Sequence, residues 1–361
     1  MDRDDDNGSV AAYMSGLSRF AGRARHEMAK RSFREWGAFL VVVVGFCGSI
    51  VYTDVQTFTH ELASTEGYSD AKQYMDVYFG IPVTGLRSYR PLVPFLAHFV
   101  PSPPRALYSA GHSFDQFSIV AARFAILNLL FLIGTCILLL IYQKGFGTDH
   151  WTAFLGVLLF LGTENVVLLS GVPMVEIAFS FFFLLSLIAV QRNNAWLLLL
   201  AMTIGVTAKE LVLLAIPMIV LSTAPWRSKR WMLAASIPSL AVFALVVARS
   251  GNPPTGSADL FLDFGALMNP KVAFELFVAF GLAWIPAGYA LLRVDVPLLL
   301  KRWAWVLPMV LVPPFLVGSS WSRCAWMAFP VVVPLAALGL AAWVRHGISS
   351  PPRVRSSAQG F

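Results

Sequence analysis

Apolar runs of near bilayer-spanning length succeed one another along almost the whole chain, and no other feature limits its fold so strongly. They fall at Gly37–Thr53, Phe117–Tyr142, Trp151–Ser170, Val172–Val190, Ala195–Thr223, Trp231–Ala248, Val272–Leu292, Trp303–Val317 and Met327–Val344. A helix needs about 20 apolar residues to cross the hydrocarbon core. In lipid every backbone amide must be satisfied within its segment or by a neighbour. The runs therefore predict an all-α, polytopic transmembrane helix bundle of about ten membrane segments. Composition agrees, because 57% of the residues are hydrophobic and only 13% are charged, where soluble domains carry about 25% charged residues.

The net charge of +7 does not point to nucleic acid. The basic residues cluster at the ends of apolar runs, where a membrane sidedness rule explains them. Cys47, Cys136 and Cys324 form no C-x-x-C pair, so neither a zinc site nor a disulfide framework is indicated. No H-E-x-x-H and no phosphate-binding G-x-x-x-x-G-K-[ST] occurs.

Three regions follow. Residues 1–36 form a basic cytoplasmic tail with Arg3, Arg19, Arg23, Arg25, Lys30, Arg31 and Arg34. Residues 37–344 form the membrane domain, with a first outer loop over 54–116 and another over 249–271. Residues 345–361 read as a disordered cytoplasmic tail. The first apolar run follows a long basic segment and precedes many spans, so it reads as a retained signal anchor.

Sidedness turns on Ala195–Thr223. A single crossing there would put "PWRSKRW" and every later basic loop outside. A short-armed helical hairpin keeps "PWRSKRW", "RVDVPLLLKRW" and "VRHGISSPPRVR" inside, together with most of the 27 Lys and Arg residues. The bend is expected within "TIGVTAKELVLL". Gly205 would loosen the backbone there, and Thr207 with Glu210 has capping-box spacing for a new helix. Broken backbone at membrane depth needs protein or a wet cavity beside it. Lys209 and Glu210 would face such a cavity at the hairpin tip.

With this topology the polar residues gather on the outer side. In "YSDAKQYMDVYFG", Ser69 can cap a helix on which Asp70, Gln73, Tyr74 and Tyr78 share one face. A carboxylate beside aromatic rings suits a sugar, and equally a short amphipathic helix on the membrane. In "RSYRPLVPFLAHFVPSPP", Pro91 and Pro94 start a helix too short to span. Arg87 or Arg90 before it can grip a phosphate or only anchor the interface. Glu176 stands about one turn inside the outer end of its span and Arg323 lies in the late outer stretch "SSWSRCAWMAFP". Intramembrane charges face a bundle interior or a pathway. Glu164 could bond to a neighbouring backbone group or pair with Lys209. His98 and His112 read as interfacial residues.

The order "SDAKQY", "SYRPLVPFLAHFVP", "VPMVE", "GVTAKELVLL" and "RCAWMAFP" after a basic N-terminal span resembles polytopic bacterial glycosyltransferases of the GT-C superfamily. The resemblance covers roughly Gly37 to Val344 in layout. It implies a polyprenyl-phosphate sugar donor, a glycan, lipid or protein acceptor, and a multi-pass protein of the bacterial inner membrane with both termini cytoplasmic. It implies that a carboxylate in the first outer loop activates the acceptor: Asp70, or alternatively Asp54, which follows the first span directly. It places the second acidic position at Glu176. The chain lacks the paired acids common in the first loop of that superfamily, and has Glu at the later site where Asp is frequent.

Chemically, Arg90, Lys209 or Arg323 would neutralise the donor phosphate and Asp70 would act as general base, giving inversion. Glu176 or Glu210 would bind sugar hydroxyls or orient the cations. A divalent metal is compatible with these carboxylates, but no ligand cluster demands one. The rival classes are a membrane transporter or lipid flippase, for which a broken helix with a buried Lys–Glu pair is suited, and a non-catalytic GT-C-like membrane protein.

Overall fold

The computed structural model describes residues 35–55, 69–81, 83, 90–102, 116–249, 270–311 and 321–349. Most of the basic tail, Arg87, His112, most of the 249–271 loop and the C-terminal tail beyond Ser349 lie outside them. The chain divides at Phe46 into two units. Of the first, the described part is apolar helix from Glu35 onward; the second, Cys47–Phe361, holds the rest of that helix and every other described element.

The described residues are helical, with turns and extended links. In order they form α1 (Glu35–Val55), α2 (Ser69–Tyr78), α3 (Leu92–Ala97), α4 (Gln116–Lys144), α5 (His150–Leu161), α6 (Glu164–Leu169), α7 (Glu176–Gln191) and α8 (Ala195–Ala208). A 3-10 turn over Glu210–Leu214 leads into α9 (Ala215–Leu221) and α10 (Trp226–Arg249). Then come α11 (Pro270–Val278), α12 (Trp284–Arg293), α13 (Leu298–Trp303), α14 (Leu307–Leu311), α15 (Trp321–Ala325) and α16 (Phe329–Ser349). Among the described residues, four helices are long and apolar enough to cross a membrane: Glu35–Val55, Ser118–Lys144, Trp226–Arg249 and Ser322–Arg345. A fifth span is available if Pro270–Val278 and Gly281–Arg293 count as one, although they meet at 86°.

Several expected spans are broken. Trp151–Ser170 divides into α5 and α6 because Gly162 caps the first helix and Thr163 turns in the extended region before the second. The Thr163 hydroxyl is used twice, donating to the Phe160 carbonyl and accepting from the Trp326 indole at 3.0 Å. Val272–Leu292 bends at Phe280 and Gly281, the latter with φ of +53°, a left-handed conformation that glycine adopts without strain.

Helix α7 is the centre of the bundle. Its stretch "FSFFFLLSL" is buried almost throughout, and it packs against α4 on one side and α8 on the other. Ser180 and Ser186 return their hydroxyls to the carbonyls of Glu176 and Phe182, so neither is left unpaired in the core. The turn out of α7 is written in "RNNA". Asn193 takes a left-handed φ of 53°, and the Asn194 amide donates back to the Ala189 carbonyl at 2.9 Å, closing the helix end. The Asn194 side chain then caps α8 by accepting from the Leu197 amide at 3.0 Å.

The chain does fold back after α8. Ser228, at the start of α10, donates to Asn193 Oδ1 at 3.1 Å. The segments before and after the break therefore end at the same level. The bend itself lies at Lys209, not at Thr207. Helix α8 runs through Ala208 and the Thr207 hydroxyl donates to the Ile204 carbonyl, so no capping box forms. Gly205 is not a hinge. A Cβ there would lie 2.7 Å from Phe182 Cβ and 3.1 Å from Val212, so glycine is what lets α8 and the 3-10 turn close on α7.

The links between helices gather at one end of the bundle. Gln191 donates to the Tyr142 carbonyl, Lys229 to that of Val220, Arg302 to that of Ser222, and Arg345 to Asp149. Trp151, Trp196, Trp226, Trp231 and Trp305 are all exposed, and all lie on or beside these linking segments. Basic side chains with interfacial tryptophans are the usual edge of a membrane protein.

Candidate functional site

The opposite end of α7, about 24 Å away by helical rise, carries a network of ion pairs. Glu176 is the first residue of α7 and its side chain is 2% exposed. A carboxylate this deep survives only with partners. Its Oε2 accepts from the Val175 amide at 3.1 Å, and its Oε1 accepts from Lys209 Nζ at 3.1 Å and from Arg323. Lys209 sits in extended backbone, φ −161° and ψ 129°, between α8 and the 3-10 turn. Breaking the helix there sends its ammonium inward, 5.7 Å above the Phe179 ring.

Arg323 joins this pair to the first loop by donating to Asp70 Oδ2 at 2.8 Å. A second bridge runs parallel to it. Arg90 grips Glu210 with two bonds, Nε to Oε2 at 2.8 Å and Nη2 to Oε1 at 2.5 Å, and donates from Nη1 to the Tyr74 hydroxyl at 2.8 Å. A two-pronged guanidinium–carboxylate pair fixes direction as well as distance. Burial pushes the Tyr74 phenol up to about 12, against the pull of Arg90 beside it, so it stays a neutral acceptor.

Seven of the residues singled out in the sequence thus fall into two bonded groups, Asp70–Arg323–Glu176–Lys209 and Tyr74–Arg90–Glu210, which adjoin where Lys209 and Glu210 follow one another in the chain. Arg87 lies outside the described residues. Asp54 is placed elsewhere. Its carboxylate is buried at the end of α1 and accepts from the Gly171 amide at 2.9 Å. Glu164 does not pair with Lys209; its Oε2 is buried without a partner.

The network balances three cations, Arg90, Lys209 and Arg323, with three carboxylates, Asp70, Glu176 and Glu210. Burial ranks the acids. Glu176 is closed off, whereas the side chains of Asp70 and Glu210 are 22% and 19% exposed. Only those two acids can meet a substrate without a rearrangement. Each carboxylate of the network is held by a cation, and no group of three metal-ligating side chains occurs among the described residues.

One further cation lies beside this face of α2. Arg123, inside the Phe117–Tyr142 run, donates to the Tyr78 hydroxyl at 2.5 Å and to Ser102 at 2.8 Å. An arginine just inside the start of an apolar run was the available signal.

Comparison with protein-family models, with curated proteins and with solved structures gives no match.

Proposed function

We propose that the chain is a multi-pass bacterial inner-membrane glycosyltransferase of the GT-C type. It moves a sugar from a polyprenyl-phosphate donor to a glycan, lipid or protein acceptor at the outer leaflet, with inversion. The basic, tryptophan-edged end is then cytoplasmic and the ion-pair network faces outward. The about ten membrane segments of this reading include α7 and the two arms of the hairpin, each too short to cross alone.

The observation that carries the reading is the contact of Arg323 with Asp70. It puts a partly exposed carboxylate against a cation at the end of the bundle where two more cations are held in place. In the transfer, Asp70 takes the proton of the acceptor hydroxyl as its oxygen bonds to the anomeric carbon. The bond from that carbon to the phosphate oxygen breaks, and polyprenyl phosphate leaves. Arg323 and Lys209, positioned by Glu176, supply positive potential for the charge that develops on the phosphate. Glu176 therefore orients cations and takes no proton from substrate. The Gln73 carbonyl oxygen, on the same face of α2, is buried without a partner. It suits a hydroxyl-rich ligand that supplies the missing donor.

The test is transfer by the purified protein in lipid, supplied with labelled polyprenyl-phosphate hexoses and pentoses and envelope extract as acceptor source. Asp70→Asn should abolish transfer while folding persists; full activity in that variant removes Asp70 from the mechanism. The saturated ion pairs also suit a non-catalytic relative that keeps them as a structural lock. That second reading wins if no donor is consumed by the folded protein. Flux across proteoliposomes would instead identify a transporter or lipid flippase.

A further inference from the structure

Each turn of α2 holds one guanidinium. Asp70 accepts from Arg323, Tyr74 from Arg90 and Tyr78 from Arg123. Spacing by four residues sets these acceptors about 6 Å apart along the helix. The first two arginines have carboxylates on them. Arg123 does not: its partners are the neutral hydroxyls of Tyr78 and Ser102, and no ion pair reaches it among the described residues. Its Nε is buried with no acceptor among the described residues. Charges withdrawn from water are ordinarily paired, and among the described residues this half-buried cation departs from that rule.

The surroundings specify what would pair it. The Tyr78 ring is stacked on His98 with centroids 3.9 Å apart and planes at 15°. His98 Nδ1 meets the Pro94 carbonyl at 3.0 Å, which turns the other ring nitrogen away from α3. Ser102 is exposed and can yield its place to a stronger acceptor. Beside this group Phe79, Ile81, Phe95 and Phe99 expose apolar surface. A guanidinium fork selects planar or tetrahedral oxyanions, and exposed rings on a short helix select a hydrocarbon chain.

We propose that Arg123, with Tyr78, His98 and Ser102, is a docking site for a phosphate group carried on a lipid. The phosphate replaces Ser102 on Arg123 and the chain lies over Phe95 and Phe99. The site is two helical turns from Asp70 and does not depend on the transfer chemistry; a chain that only binds lipid would keep it.

The full-length protein in nanodiscs is titrated with a short-chain prenyl monophosphate, with the matching prenyl alcohol and inorganic phosphate as comparisons. Binding is read by native mass spectrometry. The phosphate should bind well above the alcohol. Arg123→Gln should weaken prenyl phosphate about tenfold, as loss of a charge-assisted contact implies, and leave the alcohol unchanged. Arg123→Lys, which keeps charge without the fork, should fall between. Inorganic phosphate should compete only at far higher concentration. Equal affinity of Arg123→Gln and wild type overturns the proposal, and so does an alcohol that binds as tightly as its phosphate. Inorganic phosphate binding as tightly as the prenyl phosphate overturns the lipid source. If Arg123→Gln fails to fold, Arg123→Lys decides, and an unchanged affinity there is equally fatal. No sugar moves in this assay, so binding here together with no transfer from the labelled sugar donors would count against the transferase reading alone.

Discussion

Ser228 donates its hydroxyl to Asn193 Oδ1 across 3.1 Å, joining the start of α10 to the turn before α8. Everything between them, including Lys209 and Glu210, therefore leaves one end of the bundle and comes back to it. In a membrane the two residues must lie on one side. Reporter tags inserted after Val190 and near Trp226 should report the same compartment. Opposite compartments would refute the re-entrant hairpin and the sidedness built on it.

Asp70 shares Arg323 with Glu176 but is much the more accessible of the two acids. Asp70→Asn should reduce transfer by about 10²-fold or more, the range for a lost general base. Its thermal unfolding should stay close to wild type, because Arg323 keeps Glu176. Glu210→Gln, on the other bridge, should weaken donor binding more than the rate of the chemical step. A rate collapse in Glu210→Gln with normal Asp70→Asn turnover would exchange their roles.

Glu176 and Lys209 are both nearly inaccessible. Removing one charge strands the other, which costs about 3–5 kcal/mol. Glu176→Gln should thus lower stability in detergent sharply. Adding Lys209→Met to it should recover much of the loss, since the stranded ammonium is gone. Strictly additive losses, measured by thermal unfolding, would show that the pair is not coupled.

Asp149 caps α5 through the Thr152 amide at 2.8 Å and pairs with Arg345 at 2.9 Å. Burial pushes its carboxyl up, but the Thr152 amide and hydroxyl and Arg345 together outweigh that and hold it below the ordinary value. A depressed folded value means stability that is fully present above the unfolded value and is lost as pH falls through the folded one. The stability gap between wild type and Asp149→Asn should therefore be complete at neutral pH and close below about pH 4. A gap independent of pH would assign the effect to packing. Asp149→Ala should cost about 1 kcal/mol through the lost cap.

Gly205 faces Phe182 and Val212 with no room for a side chain. Gly205→Val should push the 3-10 turn off α7 and part Lys209 from Glu176, costing about 1–3 kcal/mol from overpacking. Transfer activity should fall with it. A stable and active Gly205→Val protein would mean that the hairpin does not pack as described.

The sequence by itself determined the helical class of fold and pointed to lipid as its surroundings. Runs such as Phe117–Tyr142 and Ala195–Thr223 are too apolar for water, and helices are how such runs satisfy their amides. It also determined which polar residues needed partners, because Glu176 and Lys209 cannot stand alone at that depth. The hairpin was legible from charge alone, since only a fold-back kept the basic loops together. Its bend point was not: Thr207 and Glu210 had capping-box spacing, yet α8 continues past Thr207 because Arg90 takes the Glu210 carboxylate away. Which acid meets which base was likewise decided by tertiary structure. Asp70 and Arg323 are separated by 253 positions, and no local pattern relates positions so distant. Arg123 passed unnoticed for the same reason. Its isolation is a property of what surrounds it in space, and a side chain's missing partner can be recognised only when its neighbours are known.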